Sequence, residues 1–304
     1  MPISSGIQRY VAIKRGLGYE FADHERMLQK YAAFAESFGD KYISAARIIE
    51  WAATAPSVQR SREWLWVARN FAISMHAEDD RHEIPPRDVF GKGKRPRPTP
   101  HIIAVTDIDQ IMQAALSLPP IASLTPYTYH YLIGLLATTG LRVSEAVALL
   151  QTDMTADGLL IRETKFHKTR LIPIDASTRK ALAEYLSLRR RIGGSDPHLF
   201  VLSTGGPPDH ASVTRAFIKL ARQAGLRAAS GRGPRLHDLR HSFAVRSLEQ
   251  CGSDRAAVSR HMLAFSTYLG HACLSGTYWY LEATPVLTRQ IAEAAEAFGK
   301  GGVQ

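Results

Sequence analysis

The sequence predicts a mainly α-helical protein, in which a small helical domain precedes a larger mixed α+β domain with one small β-hairpin sheet. Three observations indicate this fold class. Apolar residues recur at three- and four-residue steps in many segments, which is the spacing of one helix face. A basic, proline-rich stretch from Pro85 to Pro100 interrupts these segments. Two short runs, at 159–162 and 170–174, predict the two strands of the hairpin.

The first domain is predicted to cover residues 1–88 and to consist of helices. The segments with helical spacing are 23–38, 43–53 and 58–75. Gly39 follows the first segment and is a typical helix stop. The third segment carries Trp64 and Trp66, which we expect to lie in the core, because aromatic side chains in such a pattern are mostly buried.

Residues 89–102 are predicted to link the two domains. Alternating prolines remove backbone donors and keep a chain extended. The cations of this segment are Lys92, Lys94, Arg95 and Arg97. Their charge suits a strap that lies along a DNA backbone, although a plain solvated linker fits the composition equally well.

The second domain is predicted to cover residues 103–304. Its predicted helices are 106–116, 125–140, a short helix from 142, 177–191, 212–223, 236–250, 253–263 and 284–298. Thr106 and Asp109 resemble a capping box, and Pro126 suits the first turn of the next helix. The last helix, 284–298, has an apolar face that could dock on a neighbouring protomer or fold back on its own domain.

The composition narrows the class of protein. Of 304 residues, 45% are hydrophobic and 22% are charged, as in a globular protein. Lys and Arg exceed Asp and Glu by 10, which favours a polyanionic partner, although a solubilising surface would also explain the excess. Cys251 and Cys273 cannot form a disulfide framework, and we find neither an apolar leader after Met1 nor a membrane-spanning run. We therefore expect a cytoplasmic protein with no membrane partner.

Side chains suited to phosphate chemistry occur in four separated segments of the second domain. They are Arg142 after Thr-Gly-Leu, Lys165 at the hairpin tip, His237 and Arg240 in a His-x-x-Arg sequence, and His271 with Tyr280 nine positions later. In content and order these residues resemble the tyrosine recombinase (phage integrase) family, over roughly residues 106–297. The helical first domain is similar in position to the core-binding domain of that family.

The resemblance implies a site-specific recombinase that acts on double-stranded DNA. Tyr280 would form a 3′-phosphotyrosyl bond with one strand and release a 5′ hydroxyl, without metal or other cofactor. Four protomers would pair two sites, in a mobile element or in the resolution of chromosome dimers. The small space before the first domain leads us to expect no additional arm-binding domain.

The two arginines of the motif are the expected phosphate clamp. A guanidinium is always charged and binds two non-bridging oxygens in a fixed plane, so Arg142 and Arg240 would stabilise the transition state. Gly140 bends the chain and would present Arg142 at a helix amino terminus. Glu145, three residues later on the same helix face, would hold the guanidinium of Arg142; a simple ion pair is the alternative.

The remaining roles follow from the resemblance, with named competitors. Lys165 would protonate the departing 5′ oxygen, with Lys168 as its rival, and Phe166 stands where the family often has glycine. His237 would assist proton transfer, and His271 would donate a hydrogen bond to the phosphate. Tyr280 competes with Tyr278 as the nucleophile, and Tyr268 is expected to be packed. We expect no metal, since Arg240 would place a cation beside any ion held by His237 and His241.

Two other functions use the same residues or the same charge. A type IB topoisomerase would relax supercoils by this chemistry as a monomer. A catalytically silent DNA-binding regulator would keep the basic surface and form no covalent bond with DNA.

Overall fold

The computed structural model describes residues 2–92, 101–164, 168–192, 195–250 and 255–270. The chain divides into two compact units, Met1–Arg97 and Pro98–Gln304. Each unit has its own hydrophobic core. The described residues are mainly helical, with a single two-stranded sheet, and the predicted fold class is confirmed. None of the described helices combines the length and apolar character that crossing a membrane requires.

The first unit is a bundle of helices. They are α1 (Ile3–Gly16), α2 (Ala22–Ser37), α3 (Ala45–Ala53) and α4 (Val58–His76). Helices α1 and α3 each pack against both α2 and α4. Tyr31 and Phe71 are fully buried at the centre. Buried His82 accepts a hydrogen bond from the backbone of Ile43 at 3.0 Å, which joins the segment after α4 to the segment before α3.

The structure adds one helix to the first unit and corrects one prediction. Helix α1 was not predicted, although Ile3, Ile7 and Tyr10 lie at three- and four-residue steps and are buried. Trp66 was expected in the core, yet 58% of it is exposed. Its neighbour Trp64 is partly buried and stacks on buried Trp51, with ring centroids 4.7 Å apart. Alternate positions of a helix face different sides, so the pattern could not place both tryptophans inside.

Helix α6 (Leu124–Thr139) lies at the centre of the second unit. This helix contacts α5 (Val105–Ala115), α7 (Val143–Ala148), α8 (Ala176–Ile192) and α10 (Asp238–Glu249). It buries Leu132, Ile133 and Leu136. Burying one such side chain stabilises the fold by about 1.5–3 kcal/mol. Because several are buried, α6 is held in place, and so is the start of the loop that follows it.

The other elements of the second unit complete the core. They are a 3-10 turn (Gln151–Asp153), strands β1 (Leu159–Thr164) and β2 (Lys168–Ile172), and helices α9 (His210–Gln223) and α11 (Arg255–Leu269). The strands are antiparallel, with Leu159 opposite Ile172 and an irregular register after Ile161. Helix α11 continues to Leu269, six residues beyond its predicted end.

The predicted capping box of Thr106 and Asp109 is wrong. Helix α5 begins one residue earlier, at Val105, and its cap residue Ala104 makes no side-chain hydrogen bond. The carbonyl of Ala104 instead accepts the amide of Ile108 at 3.1 Å, so the helix is already formed where Thr106 was expected to cap it.

Candidate active site

The site begins at a sharp turn after α6. Gly140 ends that helix with φ of +61°, in the left-handed region that favours glycine. A Cβ at this position would lie 2.3 Å from the Cδ1 atom of Phe243 on α10. The turn therefore requires glycine for two reasons: its φ is positive, and Phe243 leaves no room for a Cβ atom. It brings Arg142 to the start of α7, as the sequence predicts.

Arg142 is held by two partners. Its Nη1 donates to Oε1 of Glu145 at 2.8 Å, and its Nη2 donates to the carbonyl of Gly270 at 2.8 Å. The side chain is 30% exposed. The guanidinium is thus fixed in orientation and still reaches the surface of the unit.

Arg240 lies beside Arg142 on a separate helix, α10. Its Nη1 donates to the carbonyl of Gly140 at 2.6 Å, and its Nη2 donates to the carbonyl of Leu269 at 2.7 Å. The residue is buried. Because Leu269 and Gly270 are adjacent, the two arginines meet at one point, the end of α11.

The end of α11 receives a third arginine. The carbonyls of Tyr268, Leu269 and Gly270 accept hydrogen bonds from Arg170, Arg240 and Arg142, one from each, at 2.7–2.9 Å. The last carbonyls of a helix lack partners within the helix and form the negative end of its dipole, so cations stabilise them. These contacts orient the chain immediately before His271.

Glu145 connects two of these arginines through its buried carboxylate. Arg170 donates to Oε1 at 3.1 Å and to Oε2 at 2.8 Å, in addition to the bond from Arg142. Oε2 also accepts the backbone amide of Arg142 at 3.0 Å. Burial raises the pKa of Glu145, but hydrogen bonds from Arg170 and Arg142 outweigh it and hold the pKa below its usual value. Glu145 therefore does more than form a helix ion pair.

Arg170 is not among the site residues that the sequence predicts. It lies on β2, 25 residues from Glu145 and 98 from Tyr268, so its partners are distant in the chain. The available signal was its place in the hairpin segment with Lys165. That position indicates proximity to the site, but not the partner.

His237 lies at the amino end of α10, next to Arg240. Burial lowers its pKa, and the positive charge of Arg240 lowers it further. The lowered pKa favours the neutral imidazole, which has one unprotonated ring nitrogen. The ring of His241 meets it edge to face, with centroids 4.5 Å apart, and burial lowers the pKa of His241 to about 4.

The start of α10 is fixed by an ion pair. Asp238 is fully buried and accepts hydrogen bonds from the backbone and guanidinium of Arg235 at 2.7–3.2 Å. Because Asp238 directly follows His237, this contact fixes the backbone at the start of the His-x-x-Arg sequence.

Several predicted residues lie outside the part of the chain that the structure describes. They are Lys165, His271, Tyr278, Tyr280, Lys94, Arg95, Arg97 and the segment 284–298. Lys92 is described and exposed, 3.7 Å from Asp88. Lys168 is the first residue of β2. Tyr268 is packed, as predicted: it stacks on Phe243 with centroids 5.7 Å apart, and burial raises its pKa to about 12.

No group of three or more His, Cys, Asp or Glu side chains that could hold a metal occurs among the described residues. The described site is instead cationic. Arg142 and Arg170 donate to the carboxylate of Glu145, and Arg240 donates to the carbonyl of Leu269 beside them. The net charge of these four groups is +2, which suits a phosphodiester with its developing negative charge.

Known proteins are similar to this chain over most of its length. Residues 102–285 match the model of the phage integrase family. The chain is 37% identical, over 93% of its length and 94% of the relative, to a protein of Sinorhizobium fredii described as integrase/recombinase y4rB. It is 34% identical to the tyrosine recombinase XerD of Brucella abortus, over 74% of this chain and 72% of that protein.

The fold of the chain is also similar to that of a solved structure. A lambda integrase dimer bound to a COC′ core site superposes with a TM-score of 0.66 at 16% identity, over 94% of this chain and 97% of that chain. At this identity the likeness shows the fold alone. With the family match over most of the second unit, it leaves one assignment: this chain belongs to the phage integrase family of tyrosine recombinases.

Proposed function

We propose that this chain is a site-specific DNA recombinase that breaks and rejoins strands through a 3′-phosphotyrosyl bond to Tyr280. One observation carries the proposal. Arg142 and Arg240, 98 residues apart in the sequence, meet at the end of α11. The chain continues from that point to His271 and, nine positions later, to Tyr280.

The cleavage step needs one proton acceptor and one proton donor. The phenolic oxygen of Tyr280 attacks phosphorus, and its proton passes to neutral His237. The bond from phosphorus to the 5′ oxygen breaks, and Lys165 protonates that oxygen. Arg142, Arg240 and His271 bind the non-bridging oxygens while negative charge grows on them.

The second step reverses the first with a different strand. A 5′ hydroxyl from the partner duplex attacks phosphorus and gives its proton to Lys165, while the bond from phosphorus to Tyr280 breaks and His237 returns a proton to the phenolate. The energy of the phosphodiester is kept in the covalent intermediate, so the exchange needs no nucleotide hydrolysis.

Double-stranded DNA is the proposed partner, and pairing two sites needs four protomers. The formal charge of +10 favours such a polyanion, and the similar lambda integrase is bound to a core site. We assign Lys92, Lys94, Arg95 and Arg97 to contacts with the DNA backbone, in a linker at 89–102 between two DNA-clamping domains. A mobile element or a dimer-resolution system is the expected setting, in the cytoplasm.

Covalent trapping tests the proposal. The purified chain is incubated with nicked duplexes tiled across the DNA that flanks its own gene, so that a cut strand dissociates and the protein adduct accumulates. We expect a sodium dodecyl sulfate-resistant adduct at a defined sequence, unaffected by EDTA, and lost in Tyr280→Phe. Tyr278→Phe is the matched control and should keep the adduct.

The other outcomes are also informative. An adduct that persists in Tyr280→Phe refutes the assigned nucleophile. A requirement for magnesium refutes the metal-free step. Relaxation of any supercoiled plasmid, without a defined site, supports topoisomerase action instead, and binding with no adduct on any fragment supports the silent regulator.

A further inference from the structure

Arg170 joins three segments of the second unit. From strand β2, its Nη1 and Nη2 donate to the two oxygens of Glu145 at the start of α7. Its Nε donates to the carbonyl of Tyr268, near the end of α11, at 2.9 Å. The side chain is only 12% exposed. All three nitrogens of this guanidinium are therefore engaged inside the protein, which is typical of a group that holds others in place.

The way Glu145 is shared sets the orientation of Arg142. Arg170 occupies the carboxylate with a two-pronged contact, so Arg142 meets the same carboxylate through Nη1 alone. The Nη2 group of Arg142 is directed to the carbonyl of Gly270 instead. Arg142 thus faces the end of α11 and its neighbour Arg240, rather than lying flat against Glu145.

Loss of Arg170 would change how the carboxylate of Glu145 is shared. Glu145 is 5% exposed in its side chain, and a buried carboxylate without a full set of partners is costly. The other guanidinium in contact with it belongs to Arg142. The carboxylate would draw Arg142 into the two-pronged contact, because that geometry is the most favourable for this pair. Arg142 would then turn away from Gly270 and from the phosphate.

Close packing at Gly270 supports the same conclusion. A Cβ at that position would lie 2.9 Å from Nη1 of Arg170 and 3.3 Å from Nη1 of Arg142. Both guanidiniums therefore lie against the backbone of residue 270, one residue before His271. A change in either one would therefore alter the contacts of Gly270, the residue that precedes His271.

We propose that Arg170 is a positioning residue of the recombination reaction, which occupies Glu145 so that Arg142 remains turned toward the scissile phosphate. The inference rests on the proposed function, since it concerns the same site. Arg170 does not touch the phosphate; it acts through Glu145 and through the backbone at the end of α11.

The test uses single-turnover cleavage of the nicked duplex on which the wild-type chain forms its adduct. Arg170→Met keeps the length of the side chain and removes its charge and donors. We expect the cleavage rate to fall about 100-fold, the order found when a catalytic group is displaced by about 1 Å. The dissociation constant for the same duplex should change by less than about threefold, because one buried cation contributes little to backbone contacts.

Two matched variants separate positioning from folding. Arg162→Met removes a cation from the other strand of the same hairpin, where Arg162 is half-exposed and pairs with Asp153 at 2.5 Å. It should cleave at nearly the wild-type rate. Arg170→Lys keeps the charge without the planar fork, so its rate should lie between those of Arg170→Met and the wild type.

The decisive variant is Arg170→Met combined with Glu145→Gln. If Arg170 acts by occupying the carboxylate, removal of that charge releases Arg142, and the double variant should cleave at least tenfold faster than Arg170→Met alone. A double variant that is equal to or slower than Arg170→Met would overturn the proposal. So would a loss of cleavage that is matched by an equal loss of DNA affinity. Failure of the wild-type chain to form any adduct would instead count against the proposed function.

Discussion

Arg240 donates a hydrogen bond to the carbonyl of Gly140, at 2.6 Å and across 100 residues of chain. Gly140 is also the residue whose turn presents Arg142. One glycine therefore sets the position of both arginines, one through its backbone direction and the other through its carbonyl. In the Thr-Gly-Leu-Arg sequence the glycine therefore positions the arginine.

Gly140→Ala should lower the stability of the second unit. The new Cβ would meet Phe243 at 2.3 Å in a backbone conformation that is unfavourable for alanine. We expect the free energy of unfolding in urea to fall by about 2–4 kcal/mol, as overpacking and left-handed strain add. Gly225→Ala is the control, since Gly225 has φ of +72° and open space around it, and should lose only about 1–2 kcal/mol. Equal losses in the two variants would show that contact with Phe243 is unimportant.

The stability of the second unit should fall as the pH drops below the pKa of an ordinary histidine. Burial lowers the pKa of His241 to about 4, whereas an unfolded histidine titrates near 6.5. Between these values the unfolded chain binds a proton that the folded chain does not, so stability is full above about pH 6.5 and declines toward pH 4. The complete shift corresponds to about 3 kcal/mol at low pH.

Urea unfolding at pH 7, 6 and 5 measures this effect. His241→Gln should show a shallower decline, because it removes the group that must remain neutral. His210→Gln is a control on α9, where the histidine is exposed. An unchanged slope in His241→Gln would contradict the assignment of the decline to this buried ring.

The local placement of Arg142 and of the His-x-x-Arg sequence could be predicted because each motif is short. Gly140 and Arg142 lie in one turn, and His237 and Arg240 lie in one helical turn, so short spacings carry the geometry. Arg170 escaped prediction because its contacts with Glu145 and Tyr268 join distant segments. No local pattern encodes which carboxylate a strand cation will meet. The same limit applies to Trp66, whose side of α4 is set by the packing of the other helices.

Substitution of Trp51 and of Trp66 should change the free energy of unfolding according to how far each side chain is buried. Trp51 is 3% exposed and Trp66 is 58% exposed. Trp51→Ala should lower the free energy of unfolding by about 3–5 kcal/mol through loss of packing. Trp66→Ala should change it by less than about 1 kcal/mol, because its surface is already in water. Thermal or urea unfolding of the two variants measures the difference, and similar losses would place Trp66 in the core after all.

The linker cations should determine much of the salt dependence of DNA binding. Each neutralised phosphate releases counterions, so the slope of log affinity against log salt is about −0.9 per contact on duplex DNA. Replacement of Lys92, Lys94, Arg95 and Arg97 by Gln should therefore make the slope less steep by about 3–4 units. Titration of one duplex between 50 and 300 mM KCl (a range of roughly sixfold, suited to such slopes) measures the change. Because these contacts would carry no base information, affinity for specific and unrelated duplexes should fall by the same factor. If the slope stays at its wild-type value, the segment is a solvated linker, and the phosphate contacts must come from other cations of the chain.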